Sequence, residues 1–166
     1  MRNQVTITQT EFHSSTRELR TLWIQRPATA KPAGICLFLD AEYYLAQIHA
    51  PAIIDGLQRD GQFPAMLTAY ISSHPDSLTR WTDSLCNDAF AQYLATELMP
   101  WLIAECDVSP GHNILAGLSL TGLSAVHAAL KYPKVFSRVL SQSGSFWFNK
   151  TGLPEEIRTK PCTGVA

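Results

Sequence analysis

Residues 114–123 read Ile-Leu-Ala-Gly-Leu-Ser-Leu-Thr-Gly-Leu, and this stretch decides the fold. A short apolar strand over 113–117 runs into a turn of small residues, and a helix follows from Leu120 to Tyr132. In a nucleophile elbow, a serine occupies such a tight strand-to-helix turn and its hydroxyl stands above the sheet. The pattern therefore predicts that Ser119 is a nucleophile. The alternative is a glycine-rich connection that contains an incidental serine.

The turn around Ser119 departs in one place from the usual Gly-x-Ser-x-Gly pattern. Thr121 stands at the fifth position, and the glycine follows at Gly122. Small neighbours are needed because side chains on both sides of a strained elbow would collide. The backbone N–H of Leu120, the residue after the serine, is the expected donor to an oxyanion. The dipole of the helix N-terminus adds to that stabilisation.

Working outward from the elbow, strands alternate with helices in the second half of the chain. We expect an α/β fold, with a mostly parallel sheet, helices on both faces and an antiparallel pair of strands before it. Ligands of such sheets collect at the C-terminal ends of the strands. The segment 72–87 is polar and is predicted to be irregular. The predicted strands are 5–9, 20–25, 34–39, 65–71, 113–117 and 138–143, and the other helices are 51–60 and 88–106, the last with Asn87 or Asp88 as its cap.

Composition excludes several classes of protein. The 166 residues are 46% hydrophobic and 16% charged, which is typical of a globular domain. No apolar run reaches the ~18 residues of a membrane span, and the N-terminus lacks the apolar segment of a secretory signal. A net charge of −1 without a basic cluster argues against nucleic acid as a partner. Four widely spaced cysteines favour reduced thiols in a cytoplasmic protein, and no metal site is evident.

Several motifs, taken in order, resemble the esterase D/enterochelin esterase group of the α/β-hydrolases. The resemblance covers residues 5–148 and is strongest for the siderophore-esterase branch. It rests on five segments: Phe-His-Ser-Ser (12–15), Arg-Thr-Leu-Trp-Ile (20–24), Leu-Phe-Leu-Asp-Ala-Glu (37–42), Thr79-Arg80 with the helix ending Glu-Leu-Met-Pro-Trp (97–101), and Leu-Ser-Gln-Ser-Gly-Ser-Phe-Trp (140–147).

The resemblance implies roles for residues outside the elbow. The turn at Ala41 and Glu42 would supply the second oxyanion donor, although the family favours glycine where Ala41 stands. Arg80 would bind an anionic or catecholate substrate; the alternative is a solvated loop arginine. Phe146 and Trp147 follow the last strand and are candidates for the wall of an aromatic substrate pocket, or else for core residues. No cofactor is expected, because iron would arrive with the substrate.

The base of the expected triad is missing from the sequence after Ser119. In this fold the order along the chain is serine, acid, histidine. His127 is the only later histidine, and eight helical residues place it about 12 Å along the axis from the nucleophile. Of the earlier histidines, His49 or His74 could approach the site from predicted loops. The acids Glu155 and Glu156 lie in an unpatterned tail and receive no role.

The domain prediction follows from this imbalance. We expect a partial α/β-hydrolase domain over 1–148 and an irregular tail over 149–166, as in a hydrolase that ends early. The predicted activity is that of a serine carboxylic ester hydrolase, by resemblance a siderophore esterase. The alternative is a catalytically inactive fragment or an interaction module. The last strand would form an exposed sheet edge, so self-association or limited stability is expected.

Overall fold

The computed structural model describes residues 5–15, 19–28, 30–109, 111–148 and 158. Of the predicted tail over 149–166, all but Arg158 lies outside the described residues. The strands are β1 (Ile7–Phe12), β2 (Arg20–Gln25), β3 (Ile35–Leu39), β4 (Leu67–Ile71), β5 (Ile114–Leu118) and β6 (Arg138–Gln142). The helices are α1 (Ala41–Ala46), α2 (Ala50–Arg59), α3 (Ser77–Ser84), α4 (Asp88–Tyr93), α5 (Met99–Cys106) and α6 (Ser119–Lys131).

The strands form one six-stranded sheet in the order β1-β2-β4-β3-β5-β6. The first three strands in that order pair antiparallel, and β4, β3, β5 and β6 run parallel. The carboxyl ends of β3 and β5 therefore lie side by side, which places Asp40 and Ser119 at the same edge of the sheet. The expected α/β fold, a mostly parallel sheet preceded by an antiparallel pair, is confirmed.

Helices cover both faces of the sheet because strand side chains alternate. On β3, the side chains of Ile35, Leu37 and Leu39 join a core with residues of α4, α5 and α6. Cys36 and Phe38 point to the other face and pack with residues of α1 and α2. All five residues of β3 are buried, as its continuous apolar run predicts.

Two short helices correct the sequence prediction. The segment 72–87, predicted to be irregular, contains α3. The carboxylate of Asp76 caps this helix by accepting a 2.7 Å hydrogen bond from the N–H of Thr79, and that bond is the main cause of the lowered pKa of Asp76. Helix α1 begins directly after Asp40, where only a turn was expected. Elements of six to eight residues are too short for a clear helical period.

The long helix predicted over 88–106 is present but not uniform. Asn87 caps α4 by accepting hydrogen bonds from the N–H groups of Ala89 and Phe90. A π-helical turn over Leu94–Leu98 then separates α4 from α5. Pro100 follows in the first turn of α5 and has no N–H to donate, which accounts for an interrupted α-helical ladder at this point.

The β6 strand is an edge of the sheet. It pairs with β5 on one side, and no described strand pairs with its other side. Val139 and Leu140 are both exposed there. The exposed edge expected from the sequence is therefore present among the described strands. No helix in the described ranges combines the length and the apolarity that crossing a bilayer requires.

Candidate active site

Ser119 occupies a strained backbone position at the junction of β5 and α6. Its φ is 50°, in the left-handed region that residues other than glycine rarely adopt. The predicted elbow geometry is therefore observed at this residue. Gly117 is needed two residues earlier, because a Cβ there would lie 2.3 Å from the carbonyl oxygen of Thr121. The close packing of the end of β5 against the first turn of α6 maintains the strained backbone at Ser119.

Thr121 and Gly122 account for the departure from the usual motif. The Thr121 hydroxyl accepts a 3.0 Å hydrogen bond from the N–H of Leu118 and donates one of 2.8 Å to its carbonyl oxygen. A threonine at the third helical position thus satisfies the backbone just before the serine. At Gly122 a Cβ would lie 2.8 Å from the Ser141 hydroxyl, so β6 approaches closely there. The glycine therefore stands one position later than in the usual motif, at Gly122, where β6 leaves no room for a side chain.

The Ser119 hydroxyl contacts another serine. Its Oγ lies 3.1 Å from the Oγ of Ser145, and the Ser145 N–H donates a 3.0 Å hydrogen bond to the Ser119 carbonyl oxygen. Ser145 follows β6 and is only 4% exposed, whereas Ser119 is exposed. This contact was not predicted, since no local sequence pattern links two serines that are 26 residues apart.

None of the five histidines, all of which are described, hydrogen-bonds to Ser119. His127 bonds to Asp88 over 2.8 Å, between α6 and the start of α4, in agreement with the expectation that it is not the base. His74 accepts a hydrogen bond from the N–H of Asp76, and His112 lies 3.3 Å from the Ser137 hydroxyl. His49 precedes α2 with a φ of 55°, and His13 is exposed after β1.

A cleft of about 350 Å³ opens above Ser119. Its lining comes from the end of β3, from α3 and from the elbow; it consists of Asp40, Ser77, Arg80, Trp81, Ser84, Leu118, Ser119, Leu120 and Thr121. A larger cavity of about 610 Å³ is lined at one side by Gln25 and Arg26. Gln25 pairs with Thr68 at the N-terminal end of β4, so this cavity lies at the opposite end of the sheet. The smaller cleft is the candidate site, because ligands of such sheets bind at the carboxyl ends of the strands.

Asp40 and Arg80 form an ion pair in this cleft. The Arg80 Nη2 lies 3.1 and 3.3 Å from the two carboxylate oxygens of Asp40, and the Ser73 hydroxyl donates a 2.7 Å hydrogen bond to the same carboxylate. The side chain of Arg80 is 54% exposed and that of Asp40 is 11% exposed. The predicted substrate residue Arg80 therefore lies beside the predicted nucleophile, with its charge partly balanced by Asp40.

The turn after β3 explains how alanine replaces the family's glycine at Ala41. The left-handed residue is Asp40, with a φ of 70°, while Ala41 starts α1 in helical conformation and is buried. A side chain at position 41 therefore meets no backbone penalty. The Glu42 carboxylate is turned towards β4, where it accepts a hydrogen bond from the N–H of Ser73.

The aromatic residues are arranged differently from a simple wall. Phe146 packs against Leu123 and Val126, and Trp147 is 81% exposed. The described lining of the cleft contains neither of them; it contains Trp81, which the sequence analysis did not single out. The ring of Phe148 lies 5.5 Å from that of Trp81.

Cys36 is not a competing nucleophile. It lies in β3 on the face covered by α1 and α2, and burial raises the pKa of its thiol to about 12. A thiol with so high a pKa stays protonated and unreactive near neutral pH. Within the described ranges, no cluster of three His, Cys, Asp or Glu side chains could hold a metal ion.

Comparisons with known proteins agree with this geometry. The family model described as "Putative esterase" matches residues 38–160. The Iron(III) enterobactin esterase of Escherichia coli K12 is 31% identical over 144 residues, which span 84% of this chain and 36% of that protein. The corresponding esterase of Dickeya dadantii is 30% identical over 134 residues and is covered to 31%. The chain thus spans about a third of the length of the curated relatives that it matches.

Solved structures give the same result. The enterobactin esterase of Shigella flexneri, solved in the presence of enterobactin, superimposes with a TM-score of 0.80 at 27% identity over 89% of this chain and 39% of that one. An IroE-like serine hydrolase from Shewanella oneidensis shares the fold, with a TM-score of 0.79 at 20% identity over 92% of this chain and 56% of that one. The family match covers most of the chain, including the elbow and the cleft, and the chain therefore belongs to this esterase family.

Proposed function

We propose that the protein is a serine carboxylic ester hydrolase with Ser119 as its nucleophile. The observation that carries the proposal is the left-handed backbone of Ser119 at the start of α6, beneath a cleft of about 350 Å³. Such a turn exposes the hydroxyl and leaves the first N–H groups of the helix without intrahelical acceptors. The Ser119 oxygen, as it loses its proton, would attack an ester carbonyl and form a tetrahedral oxyanion. Collapse would break the ester C–O bond, the alcohol would leave with a proton, and water would then hydrolyse the acyl group from Ser119.

In this proposal, two turns hold the oxyanion. The N–H of Leu120, in the first turn of α6, is one donor. The second donor comes from the turn after β3, from the N–H of Ala41 or Glu42, which is the first turn of α1. Both turns follow neighbouring parallel strands, β5 and β3, which supports their action on one substrate.

We further propose catecholate siderophores, a trilactone or its linear products, as the substrate class. The curated relatives are enterobactin esterases, and one Shigella structure was solved with enterobactin. Arg80 would then bind an anionic oxygen of the substrate beside Ser119, and iron would enter bound to the substrate. Phe146 and Trp147 remain candidates for outer contacts with a large aromatic substrate. We also propose a cytoplasmic location, supported by the free thiols of Cys36 and Cys106.

A second candidate is a hydrolase-like chain without catalytic activity, which acts as an interaction module. It is favoured by the absence of a histidine at the Ser119 hydroxyl among the described residues. Without a base, a serine hydroxyl is a poor nucleophile, and several orders of magnitude in rate are lost. The exposed β6 edge, with Val139 and Leu140, would be the interacting surface and would support self-association.

One comparison separates the two candidates. The purified chain and its Ser119→Ala variant are treated with a fluorophosphonate probe and with p-nitrophenyl acetate. An esterase requires labelling and turnover that disappear in the variant. Equal behaviour of the two proteins would instead favour the interaction module. Sedimentation velocity over a range of concentrations, with Leu140→Lys as the variant, tests association through β6; a monomer at every concentration excludes it.

A further inference from the structure

We infer that Ser145 is a positioning residue whose buried hydroxyl donates a hydrogen bond to the Ser119 oxygen and stabilises its deprotonated form. The inference rests on the proposed role of Ser119 as a nucleophile. It starts from the 3.1 Å contact between the two hydroxyl oxygens, in which either oxygen could supply the hydrogen.

Burial decides the direction of this hydrogen bond. Ser145 is 4% exposed, and the Ser119 hydroxyl is the one partner of its side chain among the described residues. If Ser119 donated, the hydrogen of Ser145 would be buried without an acceptor, at a cost of about 1–3 kcal/mol. If Ser145 donates, the hydrogen of the exposed Ser119 is free to bond to water. The arrangement with Ser145 as donor is therefore favoured.

The direction has a chemical consequence for the nucleophile. The Ser119 hydrogen is left pointing away from Ser145, towards the cleft, where a base or water can accept it. When that proton leaves, the bond from Ser145 becomes charge-assisted and strengthens. A hydrogen bond to the charged form of a group favours that form. Ser145 thus lowers the free energy needed to deprotonate Ser119.

The backbone of Ser145 has a second, separable effect. Its N–H donates a 3.0 Å hydrogen bond to the carbonyl oxygen of Ser119, the residue held at a φ of 50°. This bond links the segment after β6 to the strained elbow. Removal of the hydroxyl alone leaves this backbone hydrogen bond in place. A side-chain variant therefore tests the Ser145 hydroxyl and not the backbone hydrogen bond.

The experiment uses a thiol as the reporter, because its reaction needs no catalytic base. In the Ser119→Cys variant, the thiolate displaces iodide from iodoacetamide, so that a C–S bond forms as the C–I bond breaks. The rate is followed against pH by mass spectrometry of the peptide that contains position 119. It is compared with Ser119→Cys/Ser145→Ala and with Ser119→Cys/Ser141→Ala.

Ser141 provides a matched control. It lies on β6 and also bonds to α6, through its hydroxyl and the Gly122 carbonyl oxygen at 3.0 Å, but it does not contact the Ser119 hydroxyl. We expect Ser145→Ala to slow alkylation at position 119 near neutral pH by roughly threefold to tenfold and to move the pH profile upward. Ser141→Ala should leave the profile unchanged.

Two outcomes would overturn the inference: an unchanged profile in the Ser145→Ala background, or the same shift in the Ser141→Ala background. If Ser145→Ala does not fold by circular dichroism, Ser145→Gly takes its place, because it also removes the hydroxyl and should give a shift in the same direction. Since alkylation does not depend on esterase activity, an inactive parent protein would contradict the proposed function while the result for Ser145 still stands. Where turnover is measurable, Ser145→Ala should lower kcat with little change in KM.

Discussion

Two arginine–aspartate pairs involve helix α3, and they differ mainly in burial. Arg20 on β2 contacts Asp83 at 2.6 Å, and the two side chains are 3% and 7% exposed. Arg80 contacts Asp40 at 3.1 Å, but Arg80 is 54% exposed. The buried pair links α3 to the sheet, and the exposed pair places the positive charge of Arg80 in the cleft above Ser119.

The difference shows how one short helix serves both stability and the site. Arg20 and Asp83 are both removed from water, and breaking such a buried pair is strongly destabilising. The exposed Arg80 is screened by solvent and contributes little to folding, so it remains available to a ligand. Helix α3 is thereby held where Arg80 and Trp81 line the cleft.

The largest effect is expected when the buried pair is broken. Arg20→Met should lower the free energy of unfolding by about 3–5 kcal/mol, because the buried Asp83 carboxylate loses the guanidinium that lies 2.6 Å from it. Urea denaturation measures the loss. The double variant Arg20→Met/Asp83→Leu should recover most of it, since two apolar side chains bury no charge. A loss below about 1 kcal/mol in the single variant would show that this pair resembles the exposed one.

Removal of the exposed cation should affect substrate binding more than folding. Arg80→Met is expected to change the free energy of unfolding by less than about 1 kcal/mol. If the proposed role holds, it should raise KM for an anionic aryl ester by roughly tenfold, as expected for a lost charge-assisted hydrogen bond. A neutral ester such as p-nitrophenyl acetate is the control substrate. Equal changes for both esters would contradict an electrostatic role.

A smaller effect of opposite sign is expected from the partner of Arg80. Asp40→Asn removes the competing charge but keeps an oxygen for the Ser73 hydroxyl, and asparagine tolerates the left-handed φ of 70°. KM for the anionic ester should fall by roughly threefold, because Arg80 is no longer neutralised. Steady-state kinetics at low and high salt test this. A KM that rises, or that does not depend on salt, would assign Asp40 a different role.

The smallest effect is expected at a surface group of charges, in which Asp88 contacts both Lys131 and His127. Hydrogen bonds from Lys131 and then from His127 lower the pKa of Asp88, an exposed residue at the start of α4. A carboxyl with a lowered pKa stabilises the fold above its ordinary pKa of 3.8, and this contribution is lost as the pH falls through the folded-state value. Asp88→Asn should therefore cost under about 1 kcal/mol near pH 7.

The pH dependence of the free energy of unfolding tests whether Asp88 acts through its charge. Urea unfolding of wild type and Asp88→Asn is compared near neutral pH and at a pH below the lowered, folded-state pKa of Asp88. The difference between the two proteins should disappear at the acidic end, where both carry a neutral side chain at position 88. A difference that persists there would show that packing, and not charge, links α4 to α6.

Much of the sheet could be predicted because its signals are local. The limits of β2 agree with the prediction, and those of β3 and β6 differ by one residue. A buried parallel strand needs a continuous apolar run, and an elbow needs small residues at fixed offsets, so both are visible in a short window. Helix α3 has neither signal. Asp76 caps only its first turn, and the buried Asp83 contacts Arg20, which is distant in the sequence.

The site residues also fall into two groups, those that the sequence predicts and those that it does not. Ser119 and Leu120 follow from the motif, and Arg80 from resemblance. Trp81 was missed because it lies on a helix that was not predicted, and Ser145 because its contact spans 26 residues. No pattern of spacing reports such a contact, since it depends on how β6 returns beside β5.

The sequence by itself determined the strand–serine–helix unit and the parallel sheet around it. These follow from side-chain periodicity, from the steric needs of a tight turn and from chain order, all of which are local or one-dimensional. Only the tertiary structure decided which arginine is buried and which faces the cleft, and which hydroxyl contacts Ser119. Those outcomes depend on burial, and the burial of a residue is set by the elements that fold against it.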